Sequence, residues 1–335
     1  MADTNDGAQP FHLHIDNDSA LGRVFEVTPE RLEAVMARFP DVAERLRVTI
    51  AYDGADYDRH MATAEALLCW KPPLEDFARR APKVRIVHAS GAGIEYFVPF
   101  TWLPEGVAFV NNRGVHGERA NEYAIMAVLM LNNRVPEMVT SQREGRWRQA
   151  FNTGISGKTL LVVGVGSVGG GVATWAKRFG MRVIGVRRSG QPHDAVDEMH
   201  TPDNLAELMA RADFVICTAP ATSASRALIG AKEIAALRPG CGIVNYSRAQ
   251  VMDYEALRQR LERREVSAIL DVFDPEPLAE DSPLWRTPNL IITPHCSSDD
   301  TEAYIPKTLD LMFGNLRRHF RGEALVNRVD PNLEY

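Results

Sequence analysis

The chain of 335 residues contains only four cysteines, Cys69, Cys217, Cys241 and Cys296, and they lie far apart. Neither the CxxC spacing of a metal site nor the density of a disulfide framework is present, so reduced thiols in a cytoplasmic protein, with no metal, are expected. No charge of one sign dominates: 38 Lys and Arg stand against 44 Asp and Glu, for a net charge of −6. A binder of phosphate backbones carries a strong basic excess, so its absence argues against a nucleic-acid partner. No run approaches the ~18 to 20 apolar residues that cross a bilayer. The opening MADTNDGAQP is acidic and polar, unlike the basic and then apolar start of a signal peptide. Neither a membrane partner nor export is therefore expected. Internal repeats, low-complexity tracts and long charge blocks are also missing, which removes solenoids and disordered interaction tails.

What is present is a core-forming composition. Hydrophobic residues make up 45% of the chain, and its length suits roughly two domains of about 150 residues. The first third alternates short apolar runs with helical patterns: FHLHID at 11–16, VTPERLEAVMARF at 27–39, RVTIA at 47–51, EALLCW at 65–70 and KVRIVHAS at 83–90. This is a βαβ rhythm. Thr28, Pro29 and Glu30 form a good helix start, because a Thr side chain caps free N–H groups and proline fits the first helical position. NEYAIMAVLML at 121–131 is almost uniformly apolar, which predicts a helix buried on most sides, at an interdomain surface or an interface.

After a polar stretch at 140–154, six further strands are predicted: TLLVV 159–163, RVIGV 182–186, DFVIC 213–217, CGIVN 241–245, SAILD 267–271 and LIIT 290–293. Several are short apolar runs of the kind a parallel sheet buries on both faces. Helical patterns between most of them point to a doubly wound α/β sheet, whose ligand sits at the carboxyl ends of the strands.

The first of these strands runs into Gly164-Val165-Gly166-Ser167-Val168-Gly169, a GxGxxG that opens a helix leading to the second strand. Strand, glycine turn, helix and strand together form the context that a dinucleotide fingerprint requires. Gly164 permits the tight turn, Gly166 lets the backbone approach a pyrophosphate, and Gly169 lets helix and sheet pack closely; the helix N-terminus offers free N–H groups to the anion. At the end of the second strand, where an NAD site usually places a carboxylate, stand Arg187, Arg188 and Ser189. Guanidinium forks complement a 2′-phosphate, so NADP(H) is the expected cofactor, with NAD(H) a possible alternative.

Three later segments each fall just beyond a predicted strand: NYSRAQVMD with Arg248, LDVFDPEPL with Asp271 and Glu276, and TPHCSS with His295. Reducing a ketone by hydride transfer needs a cation to orient a carboxylate and polarise the carbonyl, and an acid to protonate the developing alkoxide. Arg248 and His295 are the right types, and a carboxylate such as Glu276 would favour the protonated imidazole.

These residues resemble the D-isomer-specific 2-hydroxyacid dehydrogenases over nearly the whole chain: SGAGIEYF at 90–97, ERANEYA at 118–124, GRW at 145–147, VVGVGSVG at 162–169, NYSR, LDVFDPEP, SPLW at 282–285 and TPH, in that order. The resemblance implies an α/β fold of two Rossmann-like or flavodoxin-like domains with parallel sheets and an active-site cleft between them. A discontinuous substrate domain would take residues 1–111 and 300–335, and a dinucleotide-binding domain 112–299, leaving no length for an appended regulatory domain. By the same resemblance His295 is the general acid/base, Glu276 its partner and Arg248 the substrate-binding cation. The cofactor would be lined by Ser167 and Val168 beside the glycines, by Ala219, Pro220, Thr222 and Ser225, and by Tyr246 and Ser247. Asp271 would hold the nicotinamide carboxamide, and the backbone around Ala92 and Gly93 the substrate carboxylate. A homodimer formed through the cofactor domain is also implied.

Within the family, CWKPPLEDF at 69–77, NEYA and the basic turn look like the NADPH-dependent glyoxylate/hydroxypyruvate reductase branch. Trp70 would be an apolar wall facing the cleft and Lys71 a second anion contact; the alternatives are a packed core Trp and a surface Lys. The substrate expected is a small 2-oxo or D-2-hydroxy acid. Departures from the family pattern are Ala249 after the arginine, Tyr246 beside the cofactor, Gly170 and Gly171 in the helix start, and Cys296, Ser297 and Ser298 after the histidine. Cys296 next to His295 also raises a nucleophile reading. Two other functions fit the same fold. One is a phosphite- or formate-type dehydrogenase, although relatives using formate pair the histidine with glutamine where this chain has Glu276. The other is a non-catalytic dinucleotide-sensing interaction protein.

Overall fold

The computed structural model describes residues 9–335, so the acidic N-terminal stretch compared above with a signal peptide lies largely outside the described residues. Among the described residues no helix is long and apolar enough to cross a membrane. The chain divides into two compact units, one formed by residues up to Val115 together with Asp300–Tyr335, the other by His116–Asp299.

The first unit is a five-stranded sheet of β1 (Phe11–Asn17), β2 (Leu46–Tyr52), β3 (Ala66–Cys69), β4 (Ile86–Ala89) and β5 (Ala108–Val110). Its order is β2-β1-β3-β4-β5, parallel throughout. This is the flavodoxin-like winding, which reverses between β1 and β3. The short strand β5 escapes sequence reading because three apolar residues carry no period. The helix Pro29–Arg38 starts as expected: Thr28 Oγ1 accepts the Arg31 N–H at 3.3 Å and Pro29 takes the first turn. The helix Tyr304–Phe320 returns the chain to this unit. Its buried Ile305, Leu309, Met312, Phe313 and Leu316 recur at helical spacing and pack with Leu13, Ile15, Leu68 and Ile86 of the sheet.

The second unit is a seven-stranded parallel sheet: β6 (Thr159–Val163), β7 (Arg182–Val186), β8 (Glu198–His200), β9 (Phe214–Cys217), β10 (Gly242–Asn245), β11 (Ser267–Leu270) and β12 (Leu290–Ile292). Its order is β12-β11-β10-β9-β6-β7-β8. The winding reverses at β6, which lies between β7 and β9. The residues of β9, β10 and β11 are buried throughout, as strands covered on both faces must be. The seventh strand, β8, corrects the six expected. It is a half-buried edge strand whose Glu198 pairs with Arg182 and Arg211, so it lacks an apolar signal.

The apolar helix spans Gly117–Asn132 and buries one stripe, including Ala120, Tyr123, Ala127, Val128 and Leu131. Within 121–131 only Glu122 and Met126 are exposed, the remainder being buried or half-buried. Met126 is 43% exposed, and with Ile125, Leu129, Trp175 and Phe179 it lines an open apolar groove of about 620 Å³.

Candidate active site

Each chemically interesting segment of the second unit follows the carboxyl end of a strand. At the end of β6 the chain turns through Gly164, whose φ is +104°. A Cβ there would stand 2.5 Å from the Ala219 nitrogen, and one on Gly169 would stand 2.3 Å from the Gly164 oxygen. Both glycines are required by close backbone approach. A Cβ on Gly166 would meet nothing within 4 Å, and as N-cap of the helix Ser167–Arg178 it leaves the first turn without a side-chain cap. Open space over uncapped N–H groups fits the pyrophosphate of a dinucleotide. Gly170 and Gly171 have their own reasons: a Cβ would stand 2.6 Å from His193 Nε2 and 2.2 Å from Asn121 Nδ2, respectively.

The carboxyl ends of β10, β11 and β12 carry the rest. Beyond β10, buried Asn245 shapes the turn: its Oδ1 accepts from Ser247 N–H (3.1 Å) and Ser247 Oγ (3.0 Å), and its Nδ2 donates to the Arg248 carbonyl at 3.0 Å. Arg248 is half-buried, with Nη1 donating to the Ser247 carbonyl at 2.7 Å. Ala249 is buried and begins a short helical turn. The Tyr246 ring is also buried and packs on Tyr123 with centroids 5.6 Å apart. Expected beside the cofactor, this ring instead turns into the core, which accommodates the departure from a small residue.

Just past β11, Asp271 is fully buried. Its carboxylate accepts from Thr293 Oγ1 and, at 3.3 Å each, from the N–H groups of Cys296 and Ser297. Its backbone oxygen accepts from His295 N–H at 2.8 Å. Asp271 thus holds the segment after β12 from beneath, and only its remaining lone pairs are left for a carboxamide. His295 Nδ1 meets Glu276 Oε2 at 2.7 Å, while Glu276 Oε1 accepts from Phe273 N–H at 2.7 Å. His295 has φ +48°, a left-handed conformation that costs a non-glycine residue about 1 to 3 kcal/mol and persists only where its surroundings fix it.

A second acid–histidine pair lies beside this one. His116 Nδ1 donates to the Ser298 carbonyl at 3.4 Å and is 3.7 Å from Asp299 Oδ1. Burial pushes the His116 pKa down, with Arg248 and His295 adding to the effect against Asp299, and burial pushes the Asp299 carboxyl up. Both shifts favour neutral forms. The Cys296 thiol is pushed up by burial and by Asp271 and Asp299, which disfavours the thiolate that a nucleophile needs.

Other expected contacts take varied positions. Arg187 is half-buried and donates to Gln191 Oε1 (3.3 Å) and the Pro192 carbonyl (3.2 Å), whereas Arg188 and Ser189 are exposed. In the loop after β9, Ala219 is buried against the glycine turn. Buried Ser225 accepts from Thr222 N–H at 2.8 Å and donates to the Pro220 carbonyl at 2.5 Å, so its hydroxyl shapes the loop. In the first unit, Trp70 and Lys71 follow β3, and Ala92 and Gly93 follow β4, so all four lie at one edge of that sheet. Trp70 is half-buried with its ring against Gly91. Lys71 is exposed, with Nζ 5.9 Å from the centroid of the Tyr96 ring.

Residues 125–297 match the family model described as D-isomer specific 2-hydroxyacid dehydrogenase, NAD binding domain. The match covers more than half of the chain. The chain belongs to the D-isomer specific 2-hydroxyacid dehydrogenase family. It is 31% identical over 263 residues to a glyoxylate reductase of Korarchaeum cryptofilum, covering 76% of this chain and 78% of that protein. It is 30% identical over 264 residues to D-3-phosphoglycerate dehydrogenase of Methanocaldococcus jannaschii, covering 77% of this chain. The chain spans about half, 50%, of the length of that relative. A solved structure of a D-isomer specific 2-hydroxyacid dehydrogenase from Xanthobacter autotrophicus Py2, in complex with NADPH and MES, superimposes with TM-score 0.83 at 29% identity. That match covers 98% of this chain and 100% of the other. Members of the 2-hydroxyacid dehydrogenase family are NAD(P)-dependent oxidoreductases, and the two parallel-sheet units are the family's architecture.

Sequence reasoning did not single out several groups around this candidate site: Asn245, Tyr123, Thr293, His116 and Asp299. Tyr123 lies within the NEYA run that carries part of the family resemblance, but its own role has no local signal. Asn245 and Thr293 open the NYSR and TPH segments, whereas His116 and Asp299 carry no local signal.

Proposed function

We propose that the chain is an NADPH-dependent reductase of small 2-oxo acids such as glyoxylate or hydroxypyruvate, with His295 as general acid. The His295 Nδ1 to Glu276 Oε2 contact of 2.7 Å, at the same sheet edge as Arg248, carries this reading. When bound, the reduced nicotinamide supplies hydride to C2 of the substrate. Gly164, Gly166, Gly169, Ser167 and Val168 would hold its pyrophosphate, and the loop 219–225 would flank it. Glu276 fixes the imidazole through Nδ1, leaving Nε2 to protonate the developing alkoxide. Arg248 binds the substrate carboxylate by charge-assisted hydrogen bonds. Lys71, Trp70 and the backbone at Ala92 and Gly93 are assigned to the substrate as well.

Preference for NADP(H) rests on Arg187 and Arg188 after β7, where no carboxylate is available to a ribose 2′-hydroxyl. The glyoxylate reductase and the NADPH complex among the relatives support both halves of the reading. The open groove around Met126, with Trp147 95% exposed, supports a homodimer, since large apolar patches rarely stay uncovered. Three buried free cysteines and one exposed support a reducing compartment such as the cytoplasm.

The test is NADPH oxidation with a panel of 2-oxo acids, alongside formate and phosphite with NADP+. Saturable reduction of glyoxylate or hydroxypyruvate is expected, with a kcat/KM ratio for NADPH over NADH above one. His295→Ala and Arg248→Ala should each lower turnover by at least about 100-fold. Near-wild-type turnover in either variant refutes that assignment, and a cofactor ratio below one refutes the preference. Lys71→Ala should raise the substrate KM; an unchanged KM leaves it a surface residue.

A further inference from the structure

The segment that carries His295 is gripped from one side by a single helix. Its N-cap, His116, donates from Nδ1 to the Ser298 carbonyl at 3.4 Å and lies 3.7 Å from Asp299 Oδ1. Seven residues on, about two helical turns, Tyr123 is buried with its hydroxyl 2.7 Å from Thr293 Oγ1. Thr293 Oγ1 donates to Asp271, so the Tyr123 hydroxyl is the donor to Thr293. Asp271 in turn accepts the N–H groups of Cys296 and Ser297 through its carboxylate and that of His295 through its backbone oxygen. His295, in the left-handed conformation, therefore sits between two fixed points, Thr293 on one side and Ser298 on the other.

We infer that Tyr123 and His116 are positioning residues for His295: the two clamp the segment 293–299 so that the imidazole is held at a backbone angle it would otherwise leave. The inference rests on the role proposed above for His295. Neither residue touches the reacting atoms. Tyr123 acts through Thr293 and Asp271, and His116 through the Ser298 carbonyl. The tyrosine of the NEYA run thereby gains a function, and the hydroxyl is the part that matters, since the ring alone would fill the core.

The experiment compares Tyr123→Phe, His116→Ala, His116→Asn and His295→Ala, using the 2-oxo acid with the highest kcat/KM in the panel. Readouts are kcat, KM, NADPH affinity by fluorescence and the melting temperature. Misplacing a reacting group by about 1 Å can cost 100-fold, so Tyr123→Phe and His116→Ala should each lower kcat about 10-fold while NADPH affinity stays within about twofold. His116→Asn, whose side-chain amide can replace the Nδ1 donor, should recover most of the loss. If His295→Ala is inactive but Tyr123→Phe and His116→Ala keep wild-type kcat, the clamp is wrong and the catalytic reading stands. If NADPH affinity falls in step with kcat, or asparagine fails to rescue, the two residues are merely structural and the clamp is overturned. Full turnover in His295→Ala removes the catalytic reading and the clamp with it.

Discussion

Two glycines of one turn separate folding from cofactor binding, and exchanging each for alanine tests both assignments. At Gly164, with φ +104°, a Cβ would stand 2.5 to 2.8 Å from backbone atoms of Thr218 and Ala219. Left-handed backbone costs an alanine about 1 to 2 kcal/mol, and overpacking against neighbours that cannot move adds about 1 to 3 kcal/mol. Gly164→Ala should therefore destabilise the second unit by about 2 to 5 kcal/mol, which at ~2 to 4 °C per kcal/mol for a unit of this size lowers its melting temperature by roughly 5 to 20 °C. Gly166 has φ −114°, and a Cβ there meets nothing. Gly166→Ala should leave the melting temperature within about 2 °C, because a compatible Gly→Ala exchange changes stability by at most ~1 kcal/mol. It should nevertheless weaken NADPH binding about 10- to 100-fold, the loss of one charge-assisted hydrogen bond of ~1.5 to 3 kcal/mol to the pyrophosphate. Differential scanning fluorimetry without nucleotide gives the first quantity and NADPH fluorescence titration the second. Wild-type NADPH affinity in Gly166→Ala would mean that the phosphates do not lie over this turn, and the cofactor assignment would fail.

Two further outcomes concern other parts of the molecule. Glu276→Gln keeps a hydrogen-bond partner for His295 but removes the carboxylate charge 2.7 Å from its Nδ1, so kcat for 2-oxo acid reduction should fall about 10- to 100-fold with NADPH affinity unchanged; equal kcat would show that the carboxylate only packs. In the first unit, His12 and His14 are buried on one face of β1, bonded to Thr49 and Thr63, and burial holds each pKa down at about 4. Their neutral forms stabilise the fold fully above the unfolded value near 6.5, and that contribution is lost as pH falls from there toward about 4. The urea midpoint should drop between pH 7.5 and 5, and less steeply in His14→Phe; an identical slope in that variant would exclude the histidine as a cause.

Much of the architecture was legible because parallel strands buried on both faces announce themselves as apolar runs, and β6, β7 and β9 fall within a residue of where their runs predict. What escaped was either short or charged. β5 has three residues, and β8 is an edge strand whose glutamate is satisfied by arginines. The apolar helix Gly117–Asn132 was expected at an interdomain surface or interface; its own unit covers one stripe and leaves Met126 open, and the composition does not say which face is which.

Local sequence carries the glycine turn, the βαβ rhythm, the missing carboxylate after β7, and Arg248, Glu276 and His295 as residues just beyond strand ends. Each of these is a local fact, readable from neighbours in the chain. Tertiary structure alone decided what holds His295 in place. Tyr123 and Thr293 are 170 positions apart and His116 and Ser298 182, so no spacing rule links them. They meet because a parallel sheet brings the carboxyl ends of distant strands to one edge and lays the helix Gly117–Asn132 along it. The direction of the Tyr246 ring was decided there too, by the space beside Tyr123 into which it packs.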